Sequence, residues 1–409
     1  MAMEILAKRA LNLAALFLVL IVCPESIRAQ PVVTAGSRLS DTFAASTPVM
    51  NTAREAATAT LLRNGKVLIA GGSDGSISLS CTELYDPTTN TFAKSTPLMN
   101  VARDNATATL LRDGRVLIAG GGGVSASLSS AELYDPATNT FAPSASTPVM
   151  NIARAAATAT VLRNGKVLIA GGYGNSSPYF LDSTEVYDPA TNTFAPSAST
   201  PVMNTARYFA TATLLSKGKV LIAGGINGGT SLRSTELYNW ATNTFTASTS
   251  TPVMNSPRQY ATATLMRNGK VLIGGGEVIF EDVLNSTELY DAATNTFAAS
   301  TSTPMMNAGR IFATATLLRN GKVLIAGGQD LVSSHLYNSL SSTDLYDPNT
   351  NTFAPATLTP VMNTARDLAT ATALRNGKVL IAGGESFVGA PPGTTILSST
   401  ELYSPGRPR

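Results

Sequence analysis

Apolar residues along this chain come in short runs, not helical stripes, and one run recurs: VLIAGG, once VLIGGG, ending at Gly72, Gly121, Gly172, Gly225, Gly276, Gly328 and Gly384. The spacing is 49 to 56 residues. A second string, ELY or its variants EVY and DLY, ends at Tyr85, Tyr134, Tyr187, Tyr238, Tyr290, Tyr346 and Tyr403, in the same phase. Self-similarity at a fixed period means one supersecondary unit per repeat, with neighbours covering each other's apolar faces.

Each unit divides by its turn chemistry. In ATATLLRNGKVLIAGG two β-prone runs flank Asn64-Gly65, a pair suited to the positive φ angles of a tight hairpin turn. The small residues Thr58, Ala59 and Thr60 suit a crowded inner strand, and Val67-Leu68-Ile69-Ala70, with no polar face, suits a strand covered on both sides. Thr82 to Tyr85 predict a third strand, Asp86-Pro87 and Asn90 a turn, and Thr91-Phe92 a short outer strand. The missing 3.6-residue period excludes a helical solenoid, and a β-helix uses much shorter rungs. The expectation is an all-β protein, a seven-bladed β-propeller over residues 41–403. The chain ends soon after the third strand of its last unit, whereas Asp41-Thr42-Phe43 stands alone before the first. Residues 41–45 are therefore expected to complete the last blade and remove an open sheet edge.

Composition agrees: 44% hydrophobic and 13% charged residues, with 33 Gly and 22 Pro, are too apolar for disorder and rich in turn formers. The net charge of +3 is spread thinly, without the basic run that nucleic acid requires. At the N-terminus Lys8 and Arg9 precede an apolar stretch at 11–23 and a polar segment ending at Ala29, the pattern of a secretory signal peptide at 1–29. A linker at 30–40 and a tail at 404–409 complete the division. Export follows, secreted, periplasmic or at the cell surface, with a membrane partner only if the leader stays uncleaved. Without the leader Cys81 is the sole cysteine, so packing and ring closure must stabilise what is expected to be a monomer.

These residues resemble the Kelch repeat family, whose units carry a Gly-Gly doublet after an apolar strand, then Tyr-Asp-Pro, then an aromatic: here Gly71-Gly72, Tyr85-Asp86-Pro87 and Phe92. Phe43, Phe92, Phe141, Phe194, Phe245, Phe297 and Phe353 stand where the family usually has Trp. The resemblance also implies a copper-radical oxidase group, which needs two His ligands and a Tyr cross-linked to a Cys. This chain has one histidine, His335. Neither a cofactor, a metal nor a catalytic residue is assigned, and Cys81 reads as a small residue in the place of Ser or Ala.

Comparing the units with one another separates the two faces. The turns RNGK and DPATNTF are nearly constant, whereas the loops between second and third strands vary in length and composition, and they share a face with the inter-blade connections. Each connection ends in an arginine: Arg54, Arg103, Arg154, Arg207, Arg258, Arg310 and Arg366. Two expectations stand for them, a pairing with Glu83-type carboxylates inside the blade or a collar for anions at the channel mouth. Tyr208, Tyr260, Tyr173, His335 and Tyr337 are the further candidate ligand contacts on that face. The function expected is a non-catalytic binding module for a protein, peptide or glycan. A Kelch-like epimerase or lyase using axial Arg with Tyr or Glu, and a structural cell-envelope protein, are the alternatives.

Overall fold

Seven antiparallel four-stranded sheets form the protein. The computed structural model describes residues 40–45, 47–279, 281–333, 336–387 and 393–406. The leader at 1–29, most of the 30–40 linker, His335 and residues 407–409 lie outside the described residues. The first blade runs Thr58–Leu61, Val67–Ala70, Thr82–Asp86, Thr91–Phe92 from axis to rim, and the next five repeat it. Each inner strand abuts the inner strands of both neighbours in a closed cycle. The chain is a seven-bladed propeller.

The apolar second strand needs two covered faces because its side chains alternate between neighbours. Leu68 and Ala70 pack with Met99, Val116, Ile118 and Tyr134 of the second blade, whereas Val67 and Ile69 pack with Leu374, Leu380 and Leu402 of the seventh. Each Tyr–Phe pair ties the third strand to the outer one, with ring centroids 5.3 Å apart for Tyr85 and Phe92. Tyr85 also donates its hydroxyl to Asn90 Oδ1 at 2.8 Å, and Asn90 holds the left-handed turn position at φ +56°. The Gly-Gly doublet makes room for the neighbouring blade. A Cβ on Gly71 would lie 2.2 Å from the Arg103 carbonyl oxygen, which instead accepts the Gly72 N–H at 2.9 Å.

One local expectation changes. Only Gly65, at φ +87°, is left-handed in the first hairpin, not Asn64. Gly65 N–H donates to Leu62 O and Leu62 N–H to Lys66 O, so the link is a type I turn closed by a glycine bulge, a three-residue loop and not a two-residue one.

The seventh blade is Thr370–Ala373, Val379–Ala382, Thr400–Ser404 and, from the other end of the chain, Thr42–Phe43. Phe43 pairs in register with Tyr403 and their rings lie 5.5 Å apart. Beyond the strand, Met50 N–H donates to Ser398 O and Gly384 N–H to Arg54 O, so first and last repeats are joined as any two neighbours are.

Candidate functional site

The seven arginines are each about 1% exposed. Arg207 shows the pattern: Nη1 donates to Gly224 O at 2.8 Å and Ser234 O at 3.0 Å, and Nη2 to Ser234 Oγ and Glu236 Oε1, both at 3.1 Å. Glu236 is spent as well, accepting from Thr205 N–H and from the N–H and side chain of Asn204. Arg54, Arg103, Arg154, Arg258 and Arg366 repeat the pair with glutamates, and Arg310 reaches the shorter Asp344 through Nε at 2.7 Å. These guanidinium groups lie inside the blades, not in an anion collar open to solvent. Burial pulls the Arg207 pKa down and the paired Glu236 opposes it. Cys81 fits the same scheme: its Sγ accepts from Arg54 Nη2 at 3.1 Å, where other units use a serine hydroxyl.

The turn face is likewise committed to structure. Arg63 donates to the Arg112 carbonyl, Arg112 to that of Arg163, Arg319 to that of Arg375, and Arg375 to that of Arg63.

The opposite face holds the mouth of the axial channel, a cavity of about 310 Å³. Its rim is made by the residue two after each arginine: Ala56, Asn105, Ala156, Phe209, Tyr260, Phe312 and Leu368, all with φ between +46° and +55°. Bulky side chains rarely accept that conformation. Here it turns the peptide toward the neighbouring blade: Ala56 N–H donates to Leu368 O, Asn105 to Ala56 O, Ala156 to Asn105 O and Phe209 to Ala156 O, at 3.0 to 3.2 Å.

An outer ring surrounds this rim. The residue after each arginine forms a single bridge with the residue after the Gly-Gly doublet, as in Glu55 with Ser73, Tyr208 with Ile226, Gln259 with Glu277 and Asp367 with Glu385. Neither partner is fixed by the repeat, so each blade contributes its own chemistry. Blades three to six supply aromatics. Tyr179 stacks on Tyr173, Tyr173 meets Tyr208 at 5.7 Å, and the row continues through Phe209 and Tyr260 to Phe312, with the last centroids 4.2 Å apart. Tyr337 donates to Glu277 Oε2 at 3.3 Å, and Gln259 Nε2 donates to Glu277 Oε1 at 2.7 Å. Tyr208, Tyr260, Tyr173 and Tyr337 thus gather on one side of the mouth. Burial keeps Tyr260 protonated far beyond neutral pH and pushes Tyr337 up to about 12.

Blades one, two and seven supply acids: Glu55, Asp104, Asp367 and Glu385. Burial and the adjacent Glu385 push the Glu55 carboxyl well above the usual carboxylate range, with Asp367 and Asp104 adding to it. Asp367 rises for the same two reasons, opposed by hydrogen bonds from Ser339 and Gln329. Ser339 Oγ donates to Asp367 Oδ2 at 2.5 Å and Ser78 Oγ to Asp104 Oδ2 at 2.6 Å. Glu55, Asp104 and Asp367 are legible in sequence as the residues after their arginines, whereas Glu385 was not singled out, although a signal exists in the residue after each Gly-Gly doublet, which is Glu385 in blade seven and Glu277 in blade five. A second cavity, of about 440 Å³, lies between blades five and six, lined by Asp282–Ser286, Asn307–Gly309, Asp330 and Leu331.

Fold and mouth define a β-propeller whose repeats build the ring and whose loop face carries the variable chemistry. Residues 158–384 match the family model described as the KLHDC2/KLHL20/DRC7 Kelch-repeats domain, and residues 58–99 match the Kelch motif. The chain belongs to the Kelch-repeat family. No curated protein matches it. Among solved structures it is similar to a novel fungal alcohol oxidase of the AA5 family in complex with copper, at 20% identity and a TM-score of 0.65, over 87% of this chain and 75% of that one. At that identity the likeness is one of fold. The residues here do not fit such a copper centre: the chain has one histidine, Cys81 is bonded to Arg54 within blade one, and among the described residues no group of three His, Cys, Asp or Glu could hold a metal.

Proposed function

We propose that this protein is an exported binding module that takes a protein, peptide or glycan ligand at the loop-face mouth of the propeller. The observation that carries this is the contrast between faces: every blade spends the same arginines on its own fold, whereas the outer ring differs from blade to blade and joins an aromatic arc to an acidic one. Stacked aromatics beside polar groups suit sugar rings and peptide side chains. Export rests on the leader-like pattern at 1–29. The test is a glycan and peptide array probed with the chain and with Tyr208→Ala. Tyr208 is half-buried at the mouth and outside the arginine pairs, so the variant is expected to keep its melting temperature and lose at least tenfold in signal. Undiminished signal from Tyr208→Ala contradicts the placement of the site.

A second reading rests on the raised carboxyls. A Glu or Asp held protonated near neutral pH, across the mouth from tyrosines, is what a general acid in a sugar epimerase or lyase needs. Turnover of an array sugar, abolished by Glu55→Gln, would favour that reading over binding alone.

A further inference from the structure

The mouth cavity is built unevenly around the axis. On blades four to seven its rim carries Phe209, Tyr260, Phe312 and Leu368, and on blades one to three Ala56, Asn105 and Ala156. All seven hold the left-handed conformation, in which a bulky side chain is strained, yet four neighbouring blades place one there and the other three keep the position small. The result is a wall on one side of the axis and open room on the other. Phe209 and Tyr260 have ring centroids 4.6 Å apart, Tyr260 and Phe312 4.2 Å, and all three rings are half-buried. Among the described residues that line the cavity, Asn105 and Tyr260 have the only polar side chains and none carries a charge. A charged group would be buried there without a counter-charge, and a sugar would bury more hydroxyls than the lining can partner. Asn105 Nδ2 donates to Asp104 Oδ1 at 2.8 Å, which leaves its amide oxygen to accept from a ligand. At about 310 Å³ the cavity is at the small end of ligand pockets and suits one ring system better than an extended chain.

We propose that the mouth receives a neutral aromatic side chain, an indole or phenol, from a peptide or protein partner, inserted along the axis against the Phe209–Tyr260–Phe312 wall with its N–H or O–H donated to Asn105. The proposal rests on the reading of the mouth as a binding site and specifies what enters it. Aromatic rings gain from tilted or offset contact with other rings beyond the area they bury, and an indole or phenol joins that apolar body to a single donor. This is the combination that an aromatic wall and one amide acceptor ask for. A side chain fits better than a free aromatic because the cavity is surrounded by further surface: Tyr179, 42% exposed, stacks on Tyr173, and the outer ring differs from blade to blade. The residues flanking the inserted ring meet that surface, which a lone ring cannot reach.

The test uses the full chain in isothermal titration calorimetry at pH 7 with the blocked tripeptide acetyl-Gly-Trp-Gly-amide and its counterparts with Leu, Lys or Asp at the centre. The Trp peptide is expected to bind at least tenfold more tightly than the Leu peptide, with the Lys and Asp peptides weaker still. Ala156→Phe gives blade three the residue that blades four and six already carry at that position. The variant is therefore expected to keep its melting temperature while the filled mouth loses at least tenfold in affinity. Asn105→Ala, which copies blades one and three, is expected to weaken the Trp peptide by about threefold to tenfold, the loss of one hydrogen bond, and to leave a 1-methyltryptophan peptide unchanged. A Leu peptide that binds as tightly as the Trp peptide overturns the proposal, as does Ala156→Phe that folds and binds like the parent. Free 3-methylindole binding as tightly as the Trp peptide overturns the peptide partner. If the array yields ligands sensitive to Tyr208→Ala while the Trp peptide fails, the binding module stands and only the inserted aromatic falls.

Discussion

At the residue scale the same ion pair does one job seven times. The arginine fork bonds two carbonyls, a hydroxyl and a carboxylate at once, which Lys cannot do. Its glutamate then holds the incoming inter-blade connection through backbone and asparagine amides. Breaking such a pair leaves an uncompensated buried charge, a penalty of about 3–5 kcal/mol. The carboxyls of the mouth behave in the opposite sense, being buried with like charges. For Glu55 and Asp367 the folded-state pKa values lie above the unfolded ones, so the folded protein binds more protons between the ordinary carboxylate range and about 8. Stability attributable to these groups is therefore present at low pH and falls as pH rises through that window. Thermal unfolding from pH 5 to 8 is expected to show this decline, and Glu55→Gln to flatten it. An identical slope in parent and variant would contradict the assignment.

At the scale of the element, strands and their phase were legible because they are local: an apolar VLIA run, a glycine turn and a Tyr-Asp-Pro corner carry their own conformational preferences. The hairpin type was less so, since Asn-Gly serves both a two-residue turn and the glycine bulge actually formed, and the extra Arg63 decides between them. The outer ring of the mouth was half legible. The one or two residues after each arginine differ from blade to blade in the sequence itself, whereas the pairing of the first of them with the residue after the Gly-Gly doublet depends on a single bridge across a loop, which no periodicity reports. Hence Tyr208 and Tyr260 were visible as candidates and Glu385 was not. The closing strand is the element on which the ring depends. Removing residues through Ala45 takes away the contact of the half-buried Phe43 with the buried Tyr403 and the seventh blade's outer strand, reopening a sheet edge. The truncated chain is expected to unfold at markedly lower temperature, and an unchanged transition would contradict closure by Thr42–Phe43.

For the whole molecule, sevenfold repetition divides the work between faces. Constant turns and buried arginines hold the blades together on one side and within the wall. Left-handed residues at the rim link five of the seven blade junctions by backbone hydrogen bonds that help keep the mouth in shape, while the ring around it is free to vary. The central claim is that ligands enter at that mouth. Hydrogen–deuterium exchange with and without an array-identified ligand tests it directly. Protection is expected at residues 55–57, 208–210, 259–261 and 367–369. Protection confined to the RNGK turns, with these segments unchanged, would contradict it.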